Sequence, residues 1–147
     1  MEINQRSFYL STLLLLSSLV LVMAASNVNG QTPVFKDYRG ISIGMTADEV
    51  RAKVEGIKEG KGQDFLVFAE RESAQIYYDD KNKVMAISVD YFENNGPAAD
   101  TVLGVTLQAK ADGSMYQLNR YPEAGYWVSY NRTAGDKPIV TITMQKM

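Results

Sequence analysis

The sequence contains no cysteine and no histidine, and these two absences exclude more chemistry than any motif in it offers. Without cysteine there is no disulfide and no thiolate nucleophile; without histidine there is no Ser-His or Cys-His pair, and zinc loses both of its preferred ligands. An excess of positive charge is missing too. Lys+Arg number 15 against Asp+Glu 17, a net charge of −2 with both signs scattered along the chain, which is not the clustered basic face that nucleic acid requires. The "KEGKG" stretch at Lys58–Gly62 lacks the spacing of a phosphate loop. "DDKN" at Asp79–Asn82 lacks the glycine and distal glutamate of a calcium loop and reads as a hairpin turn. Glu70 with Glu72, and Asp90 with Glu93, are carboxylates near one another in sequence, but no motif gathers them into a pocket. The composition therefore predicts a protein that is not an enzyme, holds no metal or cofactor and binds no nucleic acid.

Long hydrophobic runs are also scarce, and the one that exists lies at the amino terminus. Arg6 precedes an apolar stretch from Phe8 to Ala25, and small residues follow at Ala24, Ser26 and Gly30. This is the three-part layout of a secretory signal peptide. Residues 1–30 are read as the signal, with cleavage favoured after Gly30, where Val28 sits at the −3 position, and residues 31–147 as a single α+β domain. No basic stop-transfer cluster follows the run and no cysteine is present to carry a lipid. The expectation is a protein without a membrane anchor after cleavage, periplasmic or secreted. A disulfide-free exported chain must be held by its core alone, which suits a bacterial envelope.

What is present begins with "GISIGMTADEV", Gly40–Val50. Thr46 and Glu49 have the spacing of a capping box, Met45 and Val50 that of a hydrophobic staple, and Asp48 and Glu49 favour the positive end of a helix dipole. The motif Gly44, Met45, Thr46, Glu49 thus ends an extended apolar run and starts a short helix that stops by Gly56. Period-2 alternation follows in "FLVFAE", "AQIYYDD" and "KVMAISVDYF", where Met85, Ile87, Val89 and Tyr91 are assigned one face and Ala86, Ser88 and Asp90 the other. Pro97 and "AADTVLG" offer a second short helix. "MYQLNRY", "GYWVSYN" and "PIVTITMQ" supply further strands. The predicted fold is α+β: a single antiparallel sheet of about six strands with two short helices on one face, and a weak tandem duplication of a helix-βββ unit.

The stretches "ISIGMTADEVRAKV" and "IYYDDKNKVMAISVDY" resemble the superfamily of small secreted bacterial domains that includes outer-membrane assembly lipoproteins of the SmpA/OmlA (BamE) type and the β-lactamase inhibitory protein fold. Gly44, Met45, Thr46 and Val50 match the family's helix start, and Tyr77, Tyr78, Lys83, Val84 and Ile87 its Tyr-rich and following strands. The resemblance spans roughly residues 41–91. The end of the family's first helix is replaced here by "VEGIKEG", and the lipobox cysteine is absent. The resemblance implies a protein-binding or envelope-assembly accessory domain with a protein partner in the cell envelope. Its alternative implication is a secreted enzyme inhibitor of the β-lactamase inhibitory protein type. The matching residues are positions of helix start and sheet core, so the resemblance implies no catalytic or cofactor-binding residue.

One surface signal stands apart from the resemblance. Tyr116, Tyr121, Tyr126, Trp127 and Tyr130 crowd the last third of the chain. Alternation in "GYWVSYN" sets Tyr126, Val128 and Tyr130 against Trp127, Ser129 and Asn131. If the first set faces the core, Trp127, Ser129 and Asn131 form the candidate interface, because aromatic residues on an uncovered sheet face are interface material.

Overall fold

The computed structural model describes Ser26, Asn27, residues 31–68 and residues 71–147. The remainder of the predicted signal peptide, and the end of the strand predicted through Glu70, lie outside the described residues. The elements run β1 (Ser26–Asn27), α1 (Ala47–Lys53), β2 (Lys58–Gly60), β3 (Gln63–Phe68), β4 (Glu72–Tyr78), β5 (Val84–Tyr91), α2 (Ala99–Leu103), β6 (Met115–Tyr121), a 3-10 turn (Pro122–Ala124), β7 (Tyr126–Arg132) and β8 (Val140–Lys146). All strands join one sheet in the order β1-β6-β7-β8-β5-β4-β3-β2. Seven of them are antiparallel, and β1 alone adds in parallel, Ser26 beside Asn119 and Asn27 beside Arg120.

Two strands lie beyond the expected six: β1 falls in residues read as signal peptide, and β2 forms from the polar stretch after α1, which the sequence suggests as a loop. Lys58–Gly60 folds back on β3, with Lys58 opposite Phe65 and Gly60 opposite Gln63. Its charged and glycine residues hide a strand whose stability comes from pairing with its neighbour rather than from its own propensity. α1 is consequently followed by four strands and α2 by three. The last strands of the two runs, β5 and β8, meet antiparallel at the centre of the sheet.

The capping box of α1 is formed as its spacing predicts. The Thr46 hydroxyl accepts from Glu49 N–H, and the Glu49 carboxylate accepts from Thr46 N–H at 2.8 Å. Val50 is fully buried and Met45 packs on the same core, closing the staple. The apolar run before the cap is not a strand, which corrects the extended reading of Gly40–Ile43. Tyr38 and Ile41 exchange both backbone hydrogen bonds, 2.8 and 2.9 Å, across Arg39 and Gly40, whose φ angles of 52° and 79° are those of a primed two-residue turn. Gly44 then takes a φ of 88° so that its N–H reaches the carbonyl of Val84 at 2.8 Å, while Val84 N–H returns to Met45 at 2.7 Å. The helix start is thereby latched to the turn between β4 and β5.

One core lies between the sheet and the elements that cover it. Ile76, Ile87, Met144 and Val128 stand in register across β4, β5, β8 and β7 and are each fully buried. Val50 of α1, Val102 and Leu103 of α2, and Tyr38 and Ile41 of the leading segment complete this cluster. Tyr126 Oη donates to the carbonyl of Phe35 and Tyr130 Oη to that of Pro97, so the leading segment and the approach to α2 lie over the same face. Met85 departs from its assigned place beside Ile87. A register shift pairs Tyr78 with Val84 and Tyr77 with Ala86, leaving Met85 as the extra residue of a bulge that period-2 reading cannot anticipate. Among the described residues no helix is long and apolar enough to cross a membrane.

Candidate functional site

Pairing register defines the sheet face that neither helix covers. One row across six strands reads Gln63, Tyr77, Ala86, Gln145, Trp127, Arg120; the next reads Phe65, Gln75, Ser88, Thr143, Ser129, Leu118; a third reads Val67, Ser73, Asp90, Thr141, Asn131, Tyr116. At the usual strand spacing each row is about 24 Å wide, and Tyr77 and Trp127 stand about 14 Å apart. Hydroxyl and amide groups dominate, punctuated by aromatic and aliphatic side chains. Two charges occur in the three rows. Asp90 is tied at 2.6 Å to the hydroxyl of Thr141, and Arg120 is exposed at the edge. Val67 at 63 % and Tyr116 at 52 % exposure place apolar surface in water at opposite ends of the third row.

Of the three residues singled out by sequence, Trp127 and Asn131 are half-buried on this face, and Tyr126, Val128 and Tyr130 are buried on the other. Ser129 is corrected. It shares the face but is buried, because it stands in the middle row with Leu118 and Thr143 as flanking partners and its short side chain does not clear them. Sequence reading also missed Tyr77, Phe65, Val67 and Gln145 as members of the same surface, since only register across the strands brings them beside Trp127. The Tyr77 hydroxyl is itself engaged with Gln75 on the same strand.

The covered side carries the strongest electrostatics. Asp64 is completely buried and accepts from Arg51 through Nε at 2.9 Å and Nη2 at 3.0 Å, and from the Tyr78 hydroxyl at 2.8 Å. Burial pushes its carboxyl pKa up, but the hydrogen bonds from Arg51 and Tyr78 and the charge of Arg51 outweigh it and hold the group below its ordinary range. Burial and the bond to Asp64 raise the Tyr78 phenol. Arg51 also meets Glu59 at 3.1 Å. This cluster joins α1 to β2, β3 and β4 as a clasp, with every member partnered by another. The polar cleft of about 350 Å³ above it, between Thr46, Asp48, Gly60, Gly62, Lys81 and Asn82, takes its shape from the clasp. A second cleft of about 440 Å³ lies against α2 between Pro97, Asp100, Leu107, Met115, Tyr130 and Arg132. Its cation is committed, since Arg132 donates to the Gly113 carbonyl and to Asn94.

Of the sequence-adjacent carboxylates, Glu70 lies outside the described residues and the others are separately engaged. Glu72 accepts from Tyr38 and from Arg39, whose guanidinium also stacks 3.8 Å over the Phe68 ring, while Glu93 pairs with Lys137 at 3.0 Å. Asp79 accepts from the backbone N–H groups of Lys81 and Lys83, which makes Asp79–Asn82 a turn. No group of acidic residues with the geometry of a metal site occurs among the described residues. Compared with known protein families, curated proteins and solved structures, the chain matches none of them.

Proposed function

We propose that this is a non-catalytic protein-binding module of the bacterial cell envelope, exported by its amino-terminal signal, whose uncovered sheet face receives a protein partner around Trp127. The observation that carries the reading is the half-buried Trp127 in a row with Tyr77, Gln145 and Arg120 on a face that, among the described residues, neither α1 nor α2 covers. A face six strands wide and about seven residues deep has a projected area of roughly 550 Å². That approaches the roughly 800 Å² each partner contributes to a standard protein interface, and it exceeds what a small ligand needs. Uncharged hydroxyls and amides are cheaper to desolvate than ion pairs, and a rigid indole loses little entropy on docking. The lack of histidine and cysteine, and the resemblance of Gly44–Val50 and Tyr77–Ile87 to the assembly-lipoprotein and inhibitory-protein superfamily, support a binding role over a catalytic one.

Photo-crosslinking residues placed at Tyr116 and Gln145 on this face, and at Lys53 and Gln108 as controls, test the reading in intact cells. The expected result is a protein adduct from the first pair alone, with Trp127→Ala weakening capture by about thirtyfold, the loss typical of an anchor residue. Equal adducts from the control positions, or unchanged capture by the Trp127 variant, overturns it. Because Trp127 is the only tryptophan, its emission in the free protein should be quenched by acrylamide and shift to the blue when the partner binds. If the captured partner is an enzyme that loses activity on binding, the module is an inhibitor rather than an assembly accessory.

A further inference from the structure

The sheet face that neither α1 nor α2 covers has a pattern that reads alike from its two sides. Its six strands run β3, β4, β5, β8, β7, β6, so the midline falls between β5 and β8. Equal distances from that midline hold residues of one chemical class: Tyr77 and Trp127 in the first row, Phe65 and Leu118 in the second, Val67 and Tyr116 in the third. Polar residues match polar residues nearer the middle, Ser73 against Asn131 and Ser88 against Thr143, while the small Ala86 stands against the long Gln145. Such a surface is complementary to a copy of itself. A two-fold axis running along the strands lays each column of one copy on the matching column of the other.

We propose that the occupant of this face is a second copy of the chain, docked sheet to sheet about a two-fold axis parallel to the strands. The inference rests on the reading of this face as a protein-docking surface and names what docks there. The axis sets Tyr77 of each copy against Trp127 of the other, aromatic on aromatic, and closes Phe65 on Leu118 and Val67 on Tyr116. Packed sheets cross at up to about 30°, which slides the outer columns along the strands, where Leu118 and Tyr116 are both apolar. A two-fold axis across the strands would instead oppose Tyr77 to Ser73 and Trp127 to Asn131, leaving both rings on polar groups. Charge fits the first arrangement: Arg120 meets the neutral Gln63, and Asp90 meets a threonine of the kind that already donates to it within its own chain, so no like charges stand opposite. Two faces of roughly 550 Å² in projection together exceed the roughly 1,000 Å² that a specific interface must clear.

Sedimentation equilibrium of the purified protein over about a hundredfold range of concentration tests the proposal. The expected result is a monomer–dimer equilibrium, with Trp127→Ala and Tyr77→Ala each raising the dimer dissociation constant by about thirtyfold. Both residues stand outside the hydrophobic core cluster, so their truncation leaves the fold to be checked by an unchanged denaturation midpoint. Because the chain has no cysteine, Ser73→Cys and Asn131→Cys proteins can be mixed and joined by a short bismaleimide across the roughly 10 Å between packed sheets. The mixture should couple readily and each variant alone should not, since like positions lie about 14 Å apart across the axis in addition to the gap between sheets. A chain that stays monomeric at every concentration, a dimer unmoved by both aromatic variants, or equal coupling in mixed and single samples overturns the proposal. The docking reading fails separately: it stands if photo-crosslinkers at Tyr116 and Gln145 then capture a different protein, and falls with the proposal if they capture none.

Discussion

Replacing Asp64 with Asn tests the central claim about what fastens α1 to the sheet. Asp64 is fully buried, with two guanidinium bonds from Arg51 and one from the Tyr78 hydroxyl. Removing one member of a buried ion pair costs about 3 to 5 kcal/mol when the other is left stranded. Arg51 is not stranded, because its side chain is 32 % exposed and Glu59 lies 3.1 Å away, which brings the penalty to the low end of that range. Tyr78, only 8 % exposed, loses a charged acceptor and keeps a neutral one. The expected loss is therefore about 3 kcal/mol, read as a fall of roughly 1 to 3 M in the urea midpoint. The pH dependence supplies a second check. The folded-state pKa of Asp64 lies below its unfolded value, so the clasp stabilises fully above about pH 4 and its contribution is lost as pH falls through the depressed folded value. Urea titrations at a series of pH values should show the wild type losing stability on acidification below about pH 4 more steeply than the variant. A midpoint loss worth less than about 0.5 kcal/mol, or acid limbs of equal slope, would refute the clasp.

Three further outcomes follow from the fold. Thr46→Ala should lower stability by about 1 kcal/mol through loss of the cap on α1, measured by chemical denaturation, and an unchanged midpoint would mean that the helix does not depend on it. Gly44→Ala isolates backbone conformation, since a Cβ there meets no atom within 4 Å while φ is 88°; a cost of roughly 1 to 2 kcal/mol in the same assay is expected, and none would contradict the turn. Ile87→Ala and Ile142→Ala, both fully buried, should each cost about 2 to 5 kcal/mol, and a loss below about 0.5 kcal/mol at both would mean that the strand faces are reversed.

Local signals told a good deal about this chain. Thr46 and Glu49 lie three apart, so the start of α1 depends on nothing beyond its own turn, and the capping box is present where the spacing puts it. In β7 and β8, alternation separates Tyr126, Val128, Tyr130, Val140, Ile142 and Met144 from Trp127, Ser129, Asn131, Thr141 and Thr143, and burial divides these strands along the same line except at Ser129, which is buried. A side chain's period follows from its own backbone, which is why these features can be read residue by residue.

Tertiary structure alone decided the features that depend on a partner distant in sequence. Lys58–Gly60 is a strand only because β3 folds back on it, and Met85 becomes a bulge only when β4 imposes its register. Asp64 alternates with Leu66, but nothing local announces that a buried carboxylate at that position will find Arg51 and Tyr78, 13 and 14 residues away. The rows that set Tyr77 and Gln145 beside Trp127 exist because β5 pairs with β8 and β8 with β7. Periodicity in a strand says which residues share a face; only pairing between strands, chosen by the packing of the whole core, says which faces become one surface.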